Sequence, residues 1–291
     1  MITIHQLKIP CGSGPEAVRT KAAAKLNLKP DADFEIRILR HSVDARKKPA
    51  LYDVYTVAVQ GPAVNAVSRK VLKDPDIRDE EPKKYSFPPH GAGIMQHRPL
   101  IIGAGPAGLF CALVLSLNGY RPVVIERGKP VEERVKDVEY SFLTGKVSAS
   151  SNVQFGEGGA GTFSDGKLTT GVGDPEGRAG FVLECFVKHG APADIQYEAY
   201  PHIGTDRLRS VLVSLRRTLI DSGCEFHFET RLSRLNVTGS KICGAGFDGV
   251  DDLPADVIVL APGHSARDPF VYLKDRGIPL AAKDFAVGLR V

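Results

Sequence analysis

The chain turns on one stretch, Leu100-Ile-Ile-Gly103-Ala104-Gly105-Pro106-Ala107-Gly108-Leu109-Phe110. Three apolar residues run into glycines spaced G-x-G-x-x-G, and an apolar stretch free of glycine continues to Leu117. This order predicts a buried strand, a tight turn and a helix. Each glycine has a mechanical reason. Gly103 makes the turn, Gly105 lets the backbone approach a diphosphate, and Gly108 lets the helix lie close on the strand. Pro106 suits a first helical position, whose N–H is orphaned anyway. The helix start then presents free N–H groups and a positive dipole end to phosphate.

Working outward, Pro122 to Glu126 predicts the next strand of a β-α-β unit, with Glu126 eighteen residues beyond Gly108. A carboxylate there can accept both hydroxyls of an adenosine ribose, and it repels a 2′-phosphate. The pattern marks a dinucleotide site without separating FAD from NAD. Arg127 follows directly. Arg134 falls in a helix expected over Val131 to Phe142, where it either reaches the diphosphate bidentately or is a solvated helix charge. A second signal is Asn152 through Lys167, with Gly156, Gly158, Gly159 and Gly161 close together. Such a loop lets amides crowd against a flat or anionic ligand without Cβ clashes. Val153, Phe155 and Phe163 argue against a merely flexible linker. A third signal is Val257 through Ser265: an apolar strand expected to be buried on both faces, then the small turn Ala261-Pro262-Gly263, with Ser265 as cap of the next helix. In a doubly wound sheet such strand ends line the ligand crevice.

Composition bounds the rest. The chain has 291 residues, 43% hydrophobic and 25% charged, with a net charge of +4. That is an ordinary globular balance, and the surplus is too small to imply nucleic acid. Five cysteines without a C-x-x-C point to a reducing, cytoplasmic setting, and to no zinc site, disulfide framework or redox-active pair. The first residues do not read as a secretory signal, and glycines break the apolar run 100–117, so no membrane partner is expected. Residues 1–90 read as a small α+β domain, ferredoxin-like but incomplete. Strands are expected at Ile2 to Ile9, Phe34 to Leu39 and Tyr52 to Val59, with helices from Pro15 to Leu28 and from Ala63 to Leu72. Ser13 and Glu16 have capping-box spacing. Residues 73–99 read as a proline-rich linker, with the domain boundary near residue 90. Residues 91–291 then read as a Rossmann-like α/β domain with a parallel central sheet. Further helices are expected at Phe181 to His189, Asp206 to Ser222 and Ala266 to Arg276, and strands at Glu225 to Glu229, Arg231 to Val237 and Phe285 to Val291. Residues 1–90 hold 16 Lys/Arg against 11 Asp/Glu, and Arg40, His41, Arg46, Lys47 and Lys48 cluster. That cluster is either a solvated loop or a dock for RNA, phosphate or a protein.

Together, GAGPAGLF (103–110), ERG (126–128), NVQFGEGGAGTFSDGKL (152–168), YPHIGTDRL (200–208) and LAPGHSARD (260–268) resemble a largely uncharacterised family of FAD-dependent dehydrogenases with a glutathione-reductase-type FAD domain. The N-terminal RHSVDARKK (40–48) adds to the likeness. The resemblance implies FAD as cofactor, with the 103–108 turn on the pyrophosphate, Glu126 on the ribose and Leu232 against adenine. It places the segment from Gly158 to Lys167, with Gly159, Gly161, Thr162 and Ser164, near the isoalloxazine. Ala261, Pro262 and Gly263 match that fold's last nucleotide-binding strand, with Pro262 where threonine is usual. Family members close with a Gly-Asp segment that does not follow Val291, which implies a C-terminally truncated chain. The expected function is a FAD-dependent oxidoreductase of dehydrogenase type acting on an unidentified small molecule, with NAD(P)H as a candidate electron donor and no metal. Catalytic residues stay unassigned. Lys167 is either a surface lysine or a group that stabilises reduced flavin, and His202 and His264 are either acid–base groups or structural. Two alternatives stand: an NAD-dependent dehydrogenase, or a flavin-binding accessory protein whose basic N-terminal domain docks RNA or a protein partner.

Overall fold

The computed structural model describes residues 1–284 apart from Arg69, Pro82 and Asp165. The strand expected at 285–291 lies outside the described residues. By packing, the chain divides into two compact units: Met1–Pro88 with Ser164–Val211, and Pro89–Phe163 with Leu212–Val291.

In the first unit, β1 (Ile2–Pro10), β2 (Glu35–Asp44), β3 (Tyr52–Gln60) and β4 (Ile77–Asp79) form an antiparallel sheet in the order β2-β3-β1-β4. Helix α1 (Pro15–Lys25) packs on β1. Val18, Ala22 and Leu26 recur at helical spacing and are buried with Ile4, Leu7, Phe34, Val57 and Val59. Ser13 does not cap this helix. Gly14 holds the cap position, and the Ser13 hydroxyl donates to the Pro10 carbonyl instead. The helix expected over 63–72 is also absent. Two short 3-10 turns, Pro62–Ala66 and Val71–Lys73, stand there, and the extended backbone of Val67 ends the first of them. Later in this unit comes α4 (Arg178–Lys188), whose Phe181 meets the rings of Tyr85 and Phe87.

The second unit holds a parallel sheet of β5 (Leu100–Ile102), β6 (Val123–Ile125), β7 (Glu225–His227) and β11 (Ile258–Leu260), ordered β11-β5-β6-β7. Alternation along the strands assigns the two faces. Leu100, Ile102, Val123 and Ile125 share a core with Leu232, Leu235, Ala245 and Phe247 of an antiparallel meander, β8 (Leu232–Thr238), β9 (Lys241–Phe247) and β10 (Leu253–Pro254). Ile101 points the other way, toward α2 (Pro106–Leu117). Helices α3 (Val131–Thr144) and α6 (Arg267–Asp275) complete the unit, and α5 (Thr205–Asp221) carries the chain from one unit into the other. Leu212, Leu215 and Leu219 of α5 are buried at helical spacing.

Two expectations need correction here. β11 is not buried on both faces: among the described residues it is the sheet edge, and Leu260 is 36% exposed. Ser265 does not cap α6, which starts from Ala266 without a side-chain cap. The strands β9 and β10 were not anticipated. Gly244 and Gly246 depress strand propensity, yet Gly244 is required, because a Cβ there would lie 2.4 Å from the Leu253 carbonyl oxygen; one at Gly246 would meet the exposed Arg234 side chain, which can move aside.

Candidate dinucleotide-binding site

The site grows from the end of β5. Gly103 adopts φ +108°, and a Cβ there would fall 2.2 Å from the Ala261 carbonyl oxygen at the end of β11. Only glycine meets both conditions. A Cβ at Gly108 would lie 1.8 Å from the Gly103 carbonyl oxygen, so α2 can approach its strand only without one. Gly105 differs. Its backbone is extended (φ −74°), and a Cβ would meet nothing nearer than Gly159 Cα at 3.9 Å. Packing within the protein therefore gives no reason for glycine at 105. Beyond it, the first-turn amides of α2 have no carbonyl one helical turn back to accept them.

Glu126 follows β6 and is almost fully buried. Its Oε2 accepts the Ala104 N–H at 2.7 Å, and its Oε1 accepts Gly128 at 2.9 Å and Gly156 at 3.1 Å. A carboxylate offers about four acceptor positions. Three are taken, which leaves about one open. The same three bonds tie the turn, the β6 end and the glycine-rich loop to one group.

Arg134 does not face the pocket. It is fully buried, and its guanidinium donates to the carbonyls of Asn152, Val153, Gly156, Glu157 and Gly159, at 2.6 to 3.3 Å. Burial pulls its pKa down to about 10, against the pull of Glu126 and Glu157. With its donors engaged this way, Arg134 shapes the loop instead of gripping phosphate. Gly156 makes room for it: φ is +119°, and a Cβ would lie 2.4 Å from Arg134 Cδ. Asn152 helps from the other end, its Oδ1 accepting the N–H groups of Gln154 and Phe155. The loop then rests on the turn through the Gly158 N–H, which donates to the Ala104 carbonyl at 2.8 Å.

Glu157 was not singled out from sequence. It is wholly enclosed, its Oε2 accepting the Val131 N–H at 2.8 Å at the start of α3 and lying 3.4 Å from Arg216 Nη1. Its Oε1 has no hydrogen-bond partner. Burial pushes its pKa up to about 7, opposed by Arg216 and the Val131 N–H. A charged residue flanked by glycines, Gly156-Glu157-Gly158, was the available signal.

These elements enclose a cavity of about 260 Å³. Of the expected residues, Gly103, Gly105, Pro106 and Ala107 line it, as do Glu126, Arg127, Gly159 and Leu232, and the turn Ala261, Pro262 and Gly263. Ala104 and Gly108 support the turn from behind. Gly161, Thr162 and Ser164 are not in the lining. Thr162 is fully buried, its hydroxyl 3.5 Å from the Glu157 carbonyl oxygen, and the Ser164 hydroxyl accepts the Gly166 N–H within the first unit. Lys167 is exposed and forms a one-residue bridge with His202, also in the first unit. His264 lines the cavity, and so do Phe155, Thr230, Arg231 and Ser265, which sequence reading had not assigned. Arg127 lies over the Phe155 ring at 4.6 Å and donates to both Asp268 oxygens, at 2.9 and 3.0 Å. Among the described residues, no group of three or more His, Cys, Asp or Glu could hold a metal, and no helix is long and apolar enough to cross a membrane.

Comparison with known proteins adds the following. Residues 1–60 match a family model described as a domain of unknown function, DUF8436. A Clostridium beijerinckii protein named only as uncharacterized is 36% identical over 290 residues, covering 100% of this chain and 54% of its own length. The chain thus spans about half the length of that curated relative. Among solved structures, THI4 of Thermovibrio ammonificans is similar at 17% identity and TM-score 0.41, over 63% of this chain and 64% of that one. A FAD-dependent pyridine nucleotide-disulphide oxidoreductase of Desulfovibrio vulgaris is similar at 16% identity and TM-score 0.30, over 60% of this chain and 26% of that one. Glycine oxidase of Bacillus cereus is similar at 12% identity and TM-score 0.34, over 63% and 59%.

Proposed function

We propose that the chain binds FAD and serves a flavin-dependent oxidoreductase of dehydrogenase type. One observation carries this reading: the glycine turn, Glu126, the 156–160 loop and the 261–263 turn converge on a single cavity. The residues suit the nucleotide half of the cofactor. Gly105, Pro106 and Ala107 would face the diphosphate, the one unfilled acceptor position of Glu126 the ribose, and Leu232 with the Arg127–Phe155 stack the adenine. The second run of backbone at Gly156, Gly159 and Ala160, lying on the first turn, favours FAD over a plain NAD site. Glu126 disfavours a 2′-phosphate. Flavin supplies hydride or electron transfer when bound; the protein's part is to orient it and exclude water. NAD(P)H as electron donor and a cytoplasmic setting fit this reading, the latter supported by five free cysteines. The antiparallel order β2-β3-β1-β4 supports a ferredoxin-like reading of the N-terminal block, with 3-10 turns in place of its second helix.

The test is to purify the chain, release any bound nucleotide by heat and identify it, then titrate the stripped protein with FAD and with NAD. The expected result is a flavin absorbance spectrum, FAD in the supernatant and saturable rebinding of FAD. Rebinding of NAD alone would replace the flavin reading with an NAD-dependent one.

A further inference from the structure

Two motifs singled out from sequence, RHSVDARKK and YPHIGTDRL, play no part in the nucleotide cavity. The fold brings the first of them to the residues just before the second. β2 is the outer strand of its sheet. The segment Tyr197–Ala199 lies along it in parallel: the His41 N–H donates to the Tyr197 carbonyl at 2.7 Å, and the Ala199 N–H donates to the His41 carbonyl at 2.9 Å. Two backbone bonds are a short attachment, and an outer strand with open N–H and C=O groups invites one.

The His41 side chain reinforces it. Nδ1 lies 2.7 Å from Glu198 Oε1, and Nε2 lies 3.0 Å from Asp53 Oδ1 on β3. A neutral imidazole has one donor and one acceptor nitrogen, so only the doubly protonated ring can donate to both carboxylates. The ring stacks on Tyr55 at 4.6 Å, which fixes its plane. The groups around it are Asp53 and Tyr55 from β3, Cys11 just after β1, and Tyr197 and Glu198 from the added segment, with Asp194 acting on Tyr197. None of these is cationic.

We propose that His41 is a proton-operated clasp that fastens the Tyr197–Ala199 segment to β2 through Asp53 and Glu198. Burial pulls the ring toward neutrality, but the two carboxylates outweigh it, so its pKa rises above 6.5. A histidine raised in this way stabilises the attachment fully below about pH 6.5, and its contribution disappears as pH climbs through the raised value. Loss of the proton leaves one carboxylate facing a lone pair, and the segment loosens while the sheet core remains. This inference does not depend on flavin binding.

The experiment follows the His41 ring by NMR in the whole chain while pH is varied, together with hydrogen-exchange protection factors for the His41 and Ala199 amides. The expected result is a midpoint above 6.5, with protection at both amides falling several-fold across the same titration. In Glu198→Gln, whose shape is nearly unchanged, the midpoint should drop and protection should lose its pH dependence. His41→Gln should show low protection at every pH; if it does not fold, the Glu198→Gln comparison decides. A wild-type midpoint at or below 6.5, or equal midpoints in wild type and Glu198→Gln, overturns the proposal.

Discussion

The turn at 103–108 and the loop at 156–163 are both rich in glycine and both contribute to one cavity, yet they hold their shapes by different means. The turn takes its shape from its own glycines, fitted against Ala261 and anchored by Glu126. Its conformation follows from a strand feeding a helix, with Gly103 and Gly108 removing the two clashes that would prevent it. The loop closes in a short 3-10 turn at Ala160–Phe163, and its first residues lean on side chains from elsewhere. A buried guanidinium bonds three of its carbonyls, at Gly156, Glu157 and Gly159, and two just before it, at Asn152 and Val153; Glu126 accepts its Gly156 N–H, and its own Glu157 ties it to the start of α3. A single enclosed cation that gathers its carbonyls can therefore give a glycine run a defined shape.

The sharpest way to break this contrast is Arg134→Met. It keeps the aliphatic stem but removes the guanidinium and leaves buried carbonyls unpaired, and we expect a loss of about 3–5 kcal/mol of stability by urea unfolding. Retained stability would mean the loop holds itself. Gly108→Ala attacks the turn instead. With a Cβ directed at the Gly103 oxygen, overpacking should cost about 1–3 kcal/mol and reduce flavin binding with it. Glu126→Gln touches both elements, because its amide nitrogen would face backbone N–H groups that now have an acceptor. FAD affinity should fall roughly ten- to a hundredfold, measured by flavin fluorescence titration.

The smallest effect concerns Glu157. Its pKa is raised from 4.5 to about 7, so the folded state holds a proton that the unfolded state has released. Stability should thus fall as pH rises from about 4.5 through 7 and level off above. Glu157→Gln should flatten that slope by about 1–3 kcal/mol over the interval in urea midpoints taken across pH. An unchanged slope would place the carboxylate's charge in a better-compensated setting than its orphaned Oε1 implies.

The same contrast explains what could be read from sequence. The β-α-β unit was legible because strand, turn, helix and acidic strand end lie within thirty residues of each other and each carries its own pattern. Arg134 was legible as important and misplaced in role: nothing in Val131 to Phe142 says whether its head meets a phosphate or five carbonyls eighteen or more residues away. Thr162 and Ser164 fell inside a recognisable motif but turn into the protein or belong to the first unit. β9 was hidden because its glycines, which prepare close contact with Leu253 and Arg234, depress strand propensity. The packing of 164–211 with the N-terminal residues was equally hidden, since it depends on pairings such as His41 with Glu198, far apart in the chain.

The most direct test of the account is FAD affinity and thermal stability measured together in Gly105→Asp. Position 105 caps α2 with extended backbone and open space for a Cβ, so aspartate there should leave the melting temperature unchanged or raise it. If the turn holds a diphosphate, the new carboxylate occupies its place and repels it, and FAD binding should vanish while the fold persists. A variant that keeps both its stability and the wild-type affinity for FAD would contradict the claim that this turn is where the cofactor's phosphates lie.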